Sequence, residues 1–216
     1  MNAGHTSWKT LPGKCVVAAF VLLLLAPLVL AACGSSRASP EITASPSADA
    51  AAVLVVLADH EFQQLEYSEV RAALLNGGFR VIVATPSGDD ARSGNVAVRA
   101  DVRAADASVA EYAAGVFIGG PGIREHFADA SLQALARDAA GGGKVVAAIC
   151  LAPVILARAG VLEGVEATVW EEEQDELKRA DARVQDEPVV VDGRVVTGQG
   201  PDAAAAFADA LLETLR

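Results

Sequence analysis

Positive charge is scarce in this chain. Of 216 residues, 17 are Lys or Arg against 28 Asp or Glu, a formal net charge of −11, and only four of the 17 are lysine. Nothing here could supply the clustered cations that neutralise a phosphate backbone, so no nucleic-acid partner is expected. Cysteine is also rare, with three in the whole chain, too few for the disulfide framework of a small secreted scaffold. No internal repeat is present. The length suits one domain with appendages, and such a domain buries enough surface to hold together without cross-links. The abundance of alanine, and of Arg over Lys, is read as genomic composition, not function.

Only one long apolar run occurs, from Val16 to Ala32. It follows a stretch that carries Lys9 and Lys14 and no acid. The run is short for a spanning helix and contains Pro27, which fits the apolar core of a signal peptide over residues 1–32. Its end, Leu30-Ala31-Ala32-Cys33, resembles a bacterial lipobox. That resemblance implies lipidation of Cys33, an exported protein and a membrane anchor in the cell envelope, because two or three acyl chains hold stably to a bilayer. The alternative is an ordinary secretory signal with an incidental cysteine. Residues 33–52 then form a lipidated cysteine and a Ser/Ala/Pro-rich tether. The domain occupies 53–216. Cys15 leaves with the signal and Cys33 is capped, so Cys150 is the one free thiol, either a small buried hydrophobe or a reactive group.

Within 53–216 short apolar runs alternate with helical spacing. VLVVLA (53–58), FRVIVAT (79–85), GVFIGG (115–120) and KVVAAIC (144–150) read as strands buried on both faces. NVAVRADV (95–102) alternates as a smaller strand. Helices are expected near 65–75, 129–140, 151–160 and 202–215, and a hairpin of type I′ around Asp192-Gly193. Strand–helix alternation of this kind gives an α/β fold, a mainly parallel sheet with helices on both faces. Ligands in such sheets collect beyond the C-terminal strand ends.

Three features fall at that edge. Cys150 stands where a buried strand meets a helix, with Pro153 in the first turn. Such an elbow projects a nucleophile above the sheet, and a helix N-terminus favours the thiolate. Gly119-Gly120-Pro121-Gly122 ends the neighbouring strand, either a plain tight turn or a place where backbone amides approach a ligand. Glu66 opens the first helix, either as a solvated acid or as a proton carrier for the thiol. The acidic run 171–176 reads as a solvated helix start, not a metal site.

Four segments, LADHEFQQLEYSEV, VFIGGPG, GGKVVAAICLAPVILARAGVL and VVVDGRVVTGQGP, together resemble the ThiJ/PfpI superfamily, and the similarity spans essentially all of 53–216. The resemblance implies a flavodoxin-like three-layer sandwich with a nucleophile elbow and a homodimer; no cofactor is expected, because a thiolate adds to a small carbonyl directly. It places the nucleophile on Cys150, its partner carboxyl on Glu66 and oxyanion donors on the amides of Gly120 and Leu151. Two positions depart from the pattern. Leu151 stands where PfpI-type peptidases have histidine, and Trp170 where the deglycase-like branch has one. His60 and His126, both in loops at the reactive edge, are the remaining accessory candidates, with Trp170 as a pocket wall. Glutamine amidotransfer is excluded, because no histidine follows Cys150.

The function expected is glyoxalase- or deglycase-like chemistry on a small electrophile. The competing readings are a redox-sensing or client-binding protein and a surface cysteine peptidase.

Overall fold

A computed structural model describes residues 47–216; the apolar run, the lipobox and Cys33 lie outside the described residues. In chain order the strands and helices are β1 (Ala52–Val56), α1 (Gln64–Asn76), β2 (Arg80–Thr85), β3 (Ala91–Ser93), β4 (Val96–Val98), β5 (Val102–Arg103), β6 (Ala114–Phe117), α2 (Ala130–Gly141), β7 (Val145–Ile149), α3 (Pro153–Arg158), β8 (Glu166–Ala167), α4 (Gln174–Arg179), β9 (Arg183–Val184), β10 (Val189–Asp192), β11 (Val195–Gly198) and α5 (Ala204–Leu215). Seven strands form one sheet in the order β10-β11-β7-β6-β1-β2-β5. Every pairing in it is parallel except β10 with β11.

The apolar runs dictate this layering. All five residues of β1 and all five of β7 are buried, as strands must be when helices cover both faces. Helices α1 and α5 pack on each other, and α5 lies along β7, β10 and β11; α2 and α3 pack on each other and reach β7. Helix α1 starts where the Gln63 side chain accepts from Leu65 N, and α2 where Asp129 accepts from Ser131 N at 2.8 Å. Both are side-chain caps on otherwise unpaired amides. The chain leaves β1 toward β2 on one side and returns to β6 on the other. That reversal between β1 and β6 opens a crevice at their C-terminal ends.

Several expectations are corrected. Residues 95–102 are not one strand. Val96–Val98 pairs with Ala91–Ser93 as a separate hairpin, and Val102–Arg103 joins the edge of the main sheet beside β2. Asp101 causes the break: its Oδ2 accepts from Val83 N, and its own N–H donates to Val83 O. One polar residue thereby takes both of the bonds that a continuing strand would make. Helix α3 is shorter than 151–160, starting at Pro153 and stopped by Gly160 with φ of 76°. The hairpin loop is Gly193-Arg194, set by the Asp192–Val195 pair, and of the two only Gly193 has positive φ. That is the pattern of a type II′ turn, not type I′. Strand β1 begins at Ala52, one residue inside the segment read as tether.

Burial separates the strands energetically. Leu54, in β1, is fully buried, whereas Val191, in the edge strand β10, is 49% exposed. Leu54→Ala is expected to cost about 2–5 kcal/mol, a transfer term plus a cavity term. Val191→Ala is expected to stay within about 0.5 kcal/mol. Urea unfolding of the two variants checks this contrast.

Candidate active site

Cys150 follows β7 directly and carries φ of 64°. A non-glycine residue there costs on the order of 1–3 kcal/mol and persists only if its surroundings hold it. Both of its peptide groups are held. Its N–H donates to Gly198 O at 2.9 Å, and its carbonyl accepts from Trp170 N at 2.9 Å. The turn ahead of α3 aims the thiol back over the sheet edge, and Cys150 is 7% exposed.

Glu66, in the first turn of α1, is fully buried. Its Oε2 accepts from Gly119 N at 3.0 Å, while Oε1 has no hydrogen-bond partner within the protein. The polar group that faces the carboxyl is the Cys150 thiol. Glycine is required between them. A Cβ on Gly119 would lie 2.5 Å from Cys150 Cβ and 3.1 Å from Glu66 Oε2. At Gly120, φ is 114° and a Cβ would meet Glu61 O at 2.3 Å. The Gly-Gly-Pro-Gly segment is therefore a close approach and not merely a turn. It lets the amide of Gly120 join that of Leu151 at the Cys150 sulfur.

Burial governs the protonation of both groups. It raises Glu66 from 4.5 to about 7, against the Gly119 amide and the thiol, which both lower it. It pushes Cys150 up to about 12, with the Glu66 charge adding to the rise and the Gly120 and Leu151 amides opposing it. The sequence reading expected the helix N-terminus to favour the thiolate. Desolvation and the neighbouring carboxylate outweigh it here, because α3 has only six residues and the thiol is enclosed. At neutral pH the pair shares protons instead of presenting a free thiolate.

A cavity of about 250 Å³ opens over Cys150, lined by Gln63, Gly120, Leu151, Trp170 and Arg124 among others. A larger hollow of about 960 Å³ along α1 and the β3–β4 hairpin shares Gln63 and Pro121 with it but does not include Cys150. Trp170, 38% exposed, serves as a wall of the smaller one. Neither histidine lines it. His60 pairs with Glu125 at 3.3 Å, and His126 lies 3.7 Å from Asp59 and 3.8 Å from Asp129. Glu125 thus holds His60, while His126 has carboxylates nearby but its Nε2 is buried without a hydrogen-bond partner. The structure brings Cys150, Glu66, Gly120, Leu151 and Trp170 together and leaves His60 and His126 out of the cavity.

Two residues escaped the sequence reading. Glu173 belongs to the acidic run read as solvated, yet it is buried and accepts from Arg124 Nη1. Nothing in the run distinguishes it from Glu171 and Glu172, which are exposed. Arg124 could have been suspected only from its place just after the glycine turn. Among the described residues no cluster of three or more His, Cys, Asp or Glu is arranged to hold a metal ion.

The raised Glu66 pKa has a consequence for stability. The folded state holds this proton to higher pH than the unfolded state does, so its contribution is complete below pH 4.5 and is lost as pH rises through about 7. Relative to Glu66→Gln, the wild type is expected to lose about 3 kcal/mol between pH 4 and pH 8. Denaturant unfolding of both proteins across that range measures the difference; parallel stability curves would contradict the assignment.

The DJ-1/PfpI family profile matches residues 51–214. An uncharacterised protein of Methanocaldococcus jannaschii is 37% identical over 169 residues, covering 76% of this chain and 82% of that protein. Protein dj-1beta of Drosophila melanogaster is 32% identical over 165 residues, covering 75% and 88%. Among solved structures, the ThiJ/PfpI domain protein of Brachyspira murdochii superposes with a TM-score of 0.72 at 29% identity, covering 76% of this chain and 95% of that one. Profile, relatives and superposition coincide on the segment that carries the elbow and its carboxyl, and the chain belongs to the DJ-1/PfpI family.

Proposed function

We propose that the Cys150–Glu66 pair is a cofactor-independent catalytic site for small reactive aldehydes, of glyoxalase- or deglycase-like type. The observation that carries this reading is the convergence at Gly119. A buried thiol and a buried carboxyl meet there, with two backbone amides at the sulfur and a small cavity above.

As a carboxylate, Glu66 takes the Cys150 proton while Sγ bonds to the carbonyl carbon. The carbonyl electron pair moves to oxygen, where the amides of Gly120 and Leu151 stabilise the developing charge. Glu66 returns the proton to that oxygen, leaving a hemithioacetal. From an α-oxoaldehyde, Glu66 then removes the adduct's C–H proton and delivers it to the adjacent carbon. It also carries the hydroxyl proton of the former aldehyde carbon to the neighbouring carbonyl oxygen, so that the first carbon becomes the thioester carbonyl and the second an alcohol. The resulting thioester is released by water as a hydroxy acid, and the thiol is restored. No histidine is needed, since one carboxyl carries every proton. A cavity of about 250 Å³ suits a substrate of a few heavy atoms and not a peptide segment.

Redox sensing is the second reading. The unpartnered Glu66 Oε1 supports it, because a protonated carboxyl donates to the oxygen of an oxidised cysteine. Hydrogen peroxide would oxidise the thiol to the sulfenic acid and be reduced to water.

With methylglyoxal as substrate, Cys150→Ser is expected to abolish turnover, and Glu66→Gln to lower kcat by a factor of about 10²–10⁴. The rate should rise with pH through about 7 as Glu66 becomes the carboxylate. Iodoacetamide labelling that reaches Cys150 only after unfolding would end the enzyme reading. Reversible oxidation of Cys150 without turnover would favour the sensor.

We also propose that Cys33 carries the lipid that holds the protein at the cell envelope, on the strength of the Leu30-Ala31-Ala32-Cys33 sequence. Mass spectrometry of the protein from membranes should find an acylated N-terminal Cys33, and Cys33→Ser should release the protein. An unmodified Cys33 would remove this proposal.

A further inference from the structure

We infer that Arg124 is a specificity-determining residue that selects small carbonyl compounds bearing a carboxylate. This rests on the reading of Cys150 as a reactive thiol reached through its cavity. Arg124 is the one residue lining that cavity with a formal charge; the others are apolar, or neutral in the case of Gln63 and Cys150. It stands four residues after Gly120, in the short 3-10 helix Pro121–His126 that Gly120 caps, so one turn of chain sets both the amide at the sulfur and the guanidinium.

The guanidinium is held in place. Nη1 donates to Oε1 of Glu173, itself only 8% exposed, while the Arg124 side chain remains 48% exposed. A guanidinium has five N–H donors in a planar fork. Among the described residues only Nη1 finds a hydrogen-bond partner, which leaves the remaining donors for an acceptor in the cavity. Arg124 carries its charge beside the Glu173 carboxylate. It selects at contact, through charge-assisted hydrogen bonds whose fork matches the two oxygens of a carboxylate. With the acceptor bound there, the electrophilic carbon of a small α-oxo acid lies within the same confined volume as Sγ.

The test compares two alkylating agents of nearly equal size, anionic iodoacetate and neutral iodoacetamide. Each forms an S–CH₂ bond at the thiolate with loss of iodide, and the proton leaves to solvent. Rates are read at Cys150 by peptide mass spectrometry on the full chain. The ratio of iodoacetate to iodoacetamide rates is expected to fall about tenfold in Arg124→Gln, the equivalent of one charge-assisted hydrogen bond. The same ratio should rise in Glu173→Gln, which frees the guanidinium while keeping an acceptor beside it. A ratio unchanged in both variants, including by equal slowing with both reagents, would reduce Arg124 to a structural role and overturn the inference. If iodoacetamide itself fails to reach Cys150 in the folded wild type, the reactive-thiol reading falls first and this inference with it.

Discussion

The Gly119 amide donates to Glu66 Oε2 at 3.0 Å, in a place that water does not reach. That bond fastens the start of α1 to the end of β6, and the thiol of the next strand, β7, completes the group. An unpaired carboxyl at this depth would be costly to bury. Accepting from one amide offsets part of the penalty, and retaining its own proton to about pH 7 offsets more. Burial therefore does two things at once: it raises the proton affinity of Glu66 toward neutrality and fixes the carboxyl against the sulfur.

The elbow depends on bonds from elsewhere in the chain. Left-handed backbone at Cys150 is unfavourable locally, and the compensation comes from Gly198, at the end of β11, and from Trp170, in the extended segment after β8. Those two elements are 48 and 20 residues away in sequence. The same segment carries the indole that walls the cavity and leads into Glu173, which anchors Arg124. One stretch thus supports Cys150 through its backbone and shapes the cavity through its side chains. Such coupling of strained geometry to distant support is a common property of catalytic sites.

The loops that hold His60 and His126 show why proximity to the reactive edge is insufficient for a role. Each imidazole has carboxylates within 3.3 to 3.8 Å, and neither lines the space over Cys150. With no histidine lining the space over Cys150, proton transfer in the proposed reaction falls to Glu66 alone. The cavity wall gains apolar area in exchange, and Arg124 becomes its sole charge.

Layering and the elbow were legible in the sequence, because continuous apolar runs such as 53–58 and 144–150 report burial on both faces and Cys150-Leu151-Ala152-Pro153 marks a strand passing abruptly into a helix. The pairing of Cys150 with Glu66 was legible too, but only through family resemblance: spacing alone favoured a solvated acid at the start of the helix. Sequence could not show what depends on neighbours brought in from afar. The split of 95–102 rests on Asp101 finding both backbone groups of Val83, and the burial of Glu173 rests on Arg124. The sign of the thiol's pKa shift was decided the same way, since desolvation is a property of the packed surroundings and no local pattern encodes it. Periodicity and turn chemistry act along the chain and can be read there; burial, proton affinity and ion pairing act across it and exist only once the sheet has closed over them.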